Sequence, residues 1–365
     1  MLETSLNLLK KIEENGYEAY IVGGFVRDYL LGVTSLDVDI NTSATPQEIK
    51  RIFKDACLPN EDYGSVTVIY DDVRFEITTY RKDFEYIDNR RPSSIEYIDD
   101  LKEDLKRRDF TINTLCMNSK GKIVDHLNGK IDLDNKLIVC VNNSFISFSD
   151  DALRILRAIR FATVLNFKLV NDVKKNIIAT KGLLKNLSYN RKKEELNKIF
   201  TSNNLLLGIS LIKELQLDYE LELYDLDNIT NEHDLLTIWL LIDKKEVYPY
   251  TKNEKNLINQ IKKCLNLDNT NNNVLYHYGL FVNLEAAIIK GLPRKIIVDK
   301  YNELPIKSQK DIDITGQEIL EFLNILPSKI VKEIFVDLEN KILSNSLINE
   351  KDILKKYIIS KYKTN

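Results

Sequence analysis

Period-two patterning stops partway along this chain. Through about residue 135, short β-type runs alternate with helical stretches: AYIVGG, SLDVDI, SVTVIY, RFEITTY and KIVDHL. From about residue 150 onward, apolar residues recur at helical spacing instead, as in DALRILRAIRFATVL and ELNKIF. Strands mixed with helices, then helices alone, predict an α+β fold. Its N-terminal part is a head with a mixed β-sheet and helices, and an all-helical remainder follows. The 365 residues allow two or three domains. We divide them into a head over 1–138, a connecting region over 139–200 and a helical body and tail over 201–365. VCVNNSFISFS at 139–149 reads as the connection out of the head, and DNTNNN at 268–273 as a loop between helices.

Other features narrow the class. Cysteines at 57, 116, 140 and 264 form no CxxC pair, which excludes a disulfide scaffold and a zinc pattern and predicts reduced thiols in the cytoplasm. The opening MLETSLNLLKKIEENGY carries acids and no apolar h-region, so no secretory signal is expected. The longest apolar stretch, near 235–242, falls far short of the ~20 residues that span a bilayer. No membrane and no protein partner is indicated.

Three motifs carry chemistry. In YIVGGFVRDYLLG at 20–32 a strand runs into Gly23 and Gly24, with a helix expected from about Val26. Glycines there let backbone N–H groups approach a phosphate, and Arg27 in the first turn can reach a triphosphate. In SLDVDI at 35–40, strand alternation puts Asp37 and Asp39 on one face. Two hard oxygen donors on a rigid face suit Mg²⁺ and two-metal nucleotidyl transfer. Glu76, in the strand-like RFEITTYR, is a candidate third carboxylate and equally a solvated or paired strand residue.

The second motif is RRDFTINTL at 107–115. Asp109 and Asn113 lie one turn apart and can bond ribose hydroxyls, while Arg108 can hold phosphate or base. Asp109 could equally cap a helix. The third motif is SDDALRILRAIRFA at 149–162, where Asp151, Arg154, Arg157 and Arg160 are spaced by three along one helix side. Cytosine and adenine each present an exocyclic amine beside an unprotonated ring nitrogen. An accepting Asp and a donating Arg match that edge and reject G and U. Arg157 and Arg160, further along, can bind triphosphate or RNA. The polar, aromatic RKDFEYIDNRRP at 81–92 reads as a long loop.

In order and spacing these motifs resemble the class II tRNA nucleotidyltransferases, the bacterial CCA-adding enzymes of the polymerase-beta-like nucleotidyltransferase superfamily. The resemblance spans nearly the whole chain. GGFVRD with DVD is similar to the family's metal-binding motif, RRDFTINTL to its ribose motif, and IVDHLNGKIDL to its hinge. DDALRILRAIRF is similar to the base-selecting helix, NRKKEEL at 190–196 to the segment bracing it, and LPIKSQKDIDITGQEIL at 304–320 to a tail segment. The resemblance implies a head, a neck over 139–200, and a body and tail that bind tRNA. It implies stepwise addition of C, C and A to the tRNA 3′ end from CTP and ATP, without a nucleic-acid template and with two Mg²⁺ ions. Asp37 and Asp39 would be the metal pair. Gly24, Arg27, Arg108, Asp151, Arg154, Arg157 and Arg160 would contact the nucleotide. The 81–92 loop would serve the switch to adenosine. Asp150, Thr114, His126 and Asn190 depart from the family pattern without removing a proposed catalytic group.

Two alternatives stand beside this expectation: an A-adding enzyme or poly(A) polymerase, and an inactive tRNA-binding protein. His233-Asp234 echoes a phosphohydrolase dipeptide, but three histidines are too few for that site, and His233 is read as an ordinary helical residue. The net charge of −3 argues at first against an RNA partner. Between 152 and 200, however, twelve Lys and Arg face three acids, a local excess of +9 against −12 elsewhere. One basic stretch on an otherwise acidic chain predicts salt-sensitive RNA binding.

Overall fold

The computed structural model describes residues 1–54, 64–87 and 91–363, and at 85–87 and 91–92 the backbone alone. It divides into two compact units, Met1–Asn231 with Ile242–Pro249, and Glu232–Leu241 with Tyr250–Asn365.

The first unit starts with α1 (Leu2–Glu13), which buries Leu8, Leu9 and Ile12. β1 (Ala19–Val22) leads through Gly23 into α2 (Gly24–Leu30), two residues earlier than the sequence suggests. β2 (Asp39–Thr42), α3 (Pro46–Ile52), β3 (Ser65–Tyr70) and β4 (Val73–Thr79) follow. Next come β5 (Arg81–Ile87), β6 (Arg91–Tyr97), α4 (Leu101–Lys106), β7 (Cys116–Met117) and β8 (Ile123–Val124). The main sheet has the order β3-β4-β2-β1-β7-β8. β2 and β4 run parallel and the other neighbours antiparallel, so the sheet is mixed. Alternation buries Val66 and Val68 on β3 and Phe75 and Ile77 on β4. Asp71 and Asp72, both at positive φ, close that hairpin with a two-residue turn whose twist matches the strands.

The connecting elements are α5 (Gly129–Asp134), β9 (Leu137–Ile138), α6 (Ser144–Asp150), α7 (Leu153–Leu165), β10 (Lys168–Leu169) and α8 (Asn171–Thr180). After them come α9 (Tyr189–Phe200), α10 (Leu205–Glu214) and α11 (Asp218–Leu221). Helix α7 buries Ile155, Leu156, Ala158, Ile159 and Ala162, and α9 buries Leu196 and Ile199. At Gly208 on α10 an added Cβ would lie 2.4 Å from Ile199 Cγ2, so only glycine lets these helices approach so closely. A short parallel pairing of β9 with β10 ties Leu137 to Lys168 and Ile138 to Leu169.

Three expectations are corrected. Residues 81–87 and 91–92, expected in a loop, are strand and belong to the β5–β6 hairpin; residues 88–90 lie outside the described residues. Phe84, Ile95 and Tyr97 favour a pleated backbone, and Pro92 is tolerated because the ladder is only two strands wide. VCVNNSFISFS contains helix α6, because Asn143 accepts from the Ile146 N–H as an N-cap. His233 lies in a bend, since Asp234 next to it accepts from the Leu236 N–H and starts the following helix.

The second unit is helical: α12 (Leu235–Ile242, to residue 241 within this unit), α13 (Lys252–Cys264), α14 (Asn272–Ile289), α15 (Arg294–Asn302), α16 (Gly316–Leu323), α17 (Ile330–Leu343) and α18 (Lys351–Tyr362). Capping boxes at Thr251/Glu254 and Thr315/Glu318 start α13 and α16. Its core gathers Leu275, Ile297, Ile319, Ile334, Leu338 and Leu354. Ile238 and Trp239 of the apolar DLLTIWLLI stretch are buried. No described helix is long and apolar enough to cross a membrane. Cys116, Cys140 and Cys264 are buried free thiols, and burial pushes the first two up to about 12. Cys57 lies outside the described residues.

Candidate active site

A cavity of about 410 Å³ opens in the first unit. Gly23, Gly24, Arg27, Asp37, Asp39, Arg108, Asp109, Asn113, Asp151, Arg154, Arg157, Arg160 and Phe161 line it. The sequence singles out all of these but Phe161. Glu76 is not among them.

Gly23 forms the first corner. Its φ of 73° and ψ of −129° suit glycine alone, and a Cβ would lie 2.9 Å from Arg108 Nη1. Its N–H donates to the Leu115 carbonyl at 3.1 Å, which anchors the turn to the segment carrying Asn113. Arg27 leaves α2 and donates from Nη1 to Asn113 Oδ1 at 2.8 Å. Asn113 in turn donates from Nδ2 to Asp109 Oδ1 at 3.0 Å. The expected ribose pair is therefore one hydrogen-bonded unit, with Asn113 fixed by Arg27 on its other side.

Asp109, 7% exposed, also meets Arg157 of α7, whose Nε and Nη2 approach Oδ2 at 2.6 and 2.5 Å. Burial would raise the Asp109 carboxyl, but Arg157, the Asn113 amide and Arg154 outweigh it and hold it at about 2. Three guanidiniums gather over Phe161: Arg160 at 4.2 Å from the ring centroid, Arg27 at 5.1 Å and Arg157 at 5.4 Å. A ring face lets like charges stand together without a carboxylate between each pair. Phe110 supports that ring edge-on at 5.7 Å. Arg160 donates to Glu195 Oε1 of α9 at 3.1 Å, and burial lowers its pKa to about 10 despite that partner. Glu195 sits in NRKKEEL, so the expected bracing contact runs from α9 to α7 through it.

Arg154 is held at both ends: Nη1 donates to Ser147 Oγ of α6 and Nη2 to the Arg107 carbonyl, each at 2.8 Å. Asp151 precedes α7 and accepts from the Leu153 N–H at 3.0 Å. Burial raises the Asp151 carboxyl, and Arg154 opposes the rise. An acceptor and a donor are thus fixed side by side on the cavity wall.

Asp104 of α4 underlies much of this. It is fully buried, and its Oδ1 accepts from the Arg81 N–H at 3.0 Å and from Arg107 Nε at 2.9 Å. Its Oδ2 accepts from Asn41 Nδ2 at 2.5 Å, and Asn41 Oδ1 takes Arg108 Nη2 at 3.3 Å. One carboxylate thereby links the β5 hairpin, the β2 strand and the Arg107 whose carbonyl holds Arg154.

Asp37 and Asp39 stand at the entry to β2 with their side chains exposed, while Val38 and Ile40 are buried. The strand itself starts at Asp39, shorter than SLDVDI suggests, but the alternation holds. Glu76 pairs with Asp39 in the β2–β4 register. Partial desolvation raises the Asp39 carboxyl, Arg108 opposes, and the charges of Asp37 and Glu76 raise it further. Among the described residues, no group of three or more His, Cys, Asp or Glu is arranged to hold a metal by itself. Two exposed carboxylates crowded by a third fit a hard cation that keeps waters and substrate phosphates in its shell.

Phe161, Asn41, Asp104 and Glu195 were not singled out from the sequence. Phe161 follows Arg157 by four residues in α7, and that same-face spacing is the local signal for the stack. Asp104 carried only its i,i+3 pairing with Arg107 as a local signal, since its other partners lie 23 and 63 residues away.

Comparison with known proteins assigns the segments. The model of the "Poly A polymerase head domain" matches residues 19–139, that of the "Probable RNA and SrmB-binding site of polymerase A" residues 166–221, and that of "tRNA nucleotidyltransferase domain 2" residues 247–358. The CCA-adding enzyme of Ligilactobacillus salivarius is 35% identical over 96% of this chain and 94% of its own length. That of Bacillus subtilis is 33% identical over 97% of each chain. The crystal structure of the Bacillus stearothermophilus CCA-adding enzyme in complex with CTP superposes with a TM-score of 0.78 at 25% identity, over 98% of this chain and 96% of that one. The Thermotoga maritima CCA-adding enzyme complexed with tRNA shares the fold, with a TM-score of 0.71 at 24% identity over 98% and 94%.

Proposed function

The chain belongs to the CCA-adding enzymes, and from that premise we propose that it adds C, C and A from CTP and ATP to the 3′ end of tRNA in the cytoplasm, without a nucleic-acid template. One observation carries the mechanism: a single cavity has an acidic corner at Asp37 and Asp39, an arginine bank at Arg27, Arg157 and Arg160, and an Asp–Arg couple at Asp151 and Arg154.

Each region matches a part of an incoming nucleotide. The arginine bank and the turn at Gly23 and Gly24 receive the triphosphate, and Arg108 reaches it from the other side. Asp109 and Asn113, already locked together, present fixed polar atoms to the ribose. Asp151 accepts from the exocyclic amine of cytosine or adenine while Arg154 donates to the adjoining ring nitrogen. Ser147 and the Arg107 carbonyl keep Arg154 aimed, so discrimination rests on a rigid pair rather than on a template strand.

Asp37 and Asp39 would hold Mg²⁺, two ions in the family's manner. The metal, when bound, lowers the pKa of the attacking 3′-hydroxyl and neutralises the triphosphate. Glu76 crowds Asp39 with negative charge and is our third carboxylate, acting on the pair from the neighbouring strand. The head over 1–138 performs the transfer, the neck over 139–200 selects the base, and the body and tail over 201–365 hold the tRNA. The exposed part of the basic excess over 152–200, Lys168, Lys175, Lys185 and Lys198, faces the RNA in this arrangement.

Wild-type protein extends a tRNA transcript ending before CCA by three nucleotides when given CTP, ATP and Mg²⁺. Asp37→Ala, which alters one exposed side chain, keeps the thermal midpoint and adds none. Normal extension by that variant overturns the assignment of the acidic corner.

A further inference from the structure

A second cavity of about 270 Å³ opens in the first unit and shares no lining residue with the first. At its wall is Lys192 of α9, only 2% exposed. Its ammonium lies 4.7 Å from the Tyr189 ring centroid, and among the described residues it has neither a hydrogen-bond acceptor nor an ion-pair partner. Glu220 and Glu222 are close enough to attract it, but each is engaged. Glu220 pairs with Lys185 at 3.0 Å, and Glu222 takes Lys245 at 3.1 Å and the Tyr189 hydroxyl.

An ammonium without an acceptor is costly to enclose. One aromatic face offsets only part of that cost. Burial pushes the Lys192 pKa down, with the two glutamates opposing. A methionine would fill the same space without the penalty, so an ammonium kept there without an acceptor has the character of a preorganised anion site. The rim supplies a second kind of chemistry. Tyr219 is 77% exposed, a large open aromatic face, with the Lys185 ammonium 5.4 Å from its centroid. Three lysines against two glutamates leave one positive charge over for a ligand. An anion to the buried lysine and a flat π-system to the open tyrosine together describe one nucleotide.

We propose that this pocket is a second nucleotide site, which takes a nucleoside phosphate with its phosphate on Lys192 and its base on Tyr219. The nucleoside phosphate is either a free nucleotide or one residue of bound RNA. The site does not depend on the roles assigned in the catalytic cavity.

The variants Lys192→Met and Tyr219→Ala test it. Incorporation of CTP on a short acceptor-stem minihelix reports the catalytic cavity, and each variant's other readings are normalised to it. In one arm, calorimetric titration with CTP counts sites: a free-nucleotide pocket gives two per wild-type chain and one in Lys192→Met. In the other arm, affinity for a full tRNA transcript lacking CCA is measured across salt. An RNA pocket gives at least a fivefold loss in both variants, and the log–log salt slope of Lys192→Met falls by about 1. The thermal midpoint of Lys192→Met stays at or above wild type, because an unpaired buried charge is removed. Wild-type values for both variants in both arms overturn the proposal. A lowered midpoint for Lys192→Met does so as well, since it would show the ammonium to be a structural partner.

Discussion

Arg157 of α7 closes on Asp109 of the RRDFTINTL segment with two nitrogens on one oxygen, at 2.6 and 2.5 Å. The contact joins α7, which we propose selects the base, to the segment we propose faces the ribose, and both line the same cavity. It also couples the site to pH. The Asp109 carboxyl drops from 3.8 to about 2 on folding, so the pair stabilises the protein above the ordinary aspartate value. That contribution, roughly 2 kcal/mol, drains away as pH falls through 3.8 toward 2. Asp109→Asn is expected to lose it at neutral pH and to flatten this part of the stability curve. Chemical denaturation from pH 6 down to pH 2 measures both. An unchanged curve would mean that Arg157 does not set the Asp109 charge.

Asp104 touches no cavity atom yet holds Arg107, whose carbonyl takes Arg154. Asp104→Asn keeps the volume and removes the charge, and is expected to cost about 1–3 kcal/mol of stability. As a positioning residue it should act on recognition more than on chemistry. KM for CTP and ATP rises, misincorporation of UTP increases, and kcat changes less than KM. Steady-state kinetics with CTP and UTP separate these effects. A fall in kcat alone, with selectivity kept, would contradict the role.

Much of the site was legible because its residues carry local signals. A glycine pair after a strand, carboxylates two apart and arginines three apart are periodicities of a single element. The pairing of β5 with β6 was missed because the polar composition of 81–92 resembles a loop, and pairing between two strands is a non-local fact. Helix α6 was missed for a related reason: Asn143 reads as a loop residue until its side chain is seen to cap Ile146. Asp104 and Asn41 belong to a buried network closed by tertiary contact, which no sequence period reports. Glu76 illustrates the opposite limit, since the sequence gives a carboxylate on a strand and only the register places it beside Asp39.

Gly23→Ala tests the phosphate turn. The substitution imposes a left-handed φ on a residue with a Cβ, about 1–3 kcal/mol, and presses on Arg108. KM for both nucleotides is expected to rise at least tenfold. Gly24→Ala, whose Cβ meets nothing nearer than 3.8 Å, is the stability control and keeps the wild-type thermal midpoint. Equal KM values for wild type and Gly23→Ala would remove the turn from nucleotide binding.

The most direct measurement offers single nucleotides to three transcripts, ending before CCA, after C and after CC. One cavity that reads the shared edge of cytosine and adenine uses CTP on the first two and ATP on the third, with UTP and GTP rejected throughout. A protein that extends with ATP but never with CTP would contradict CCA addition and identify an A-adding enzyme or poly(A) polymerase instead.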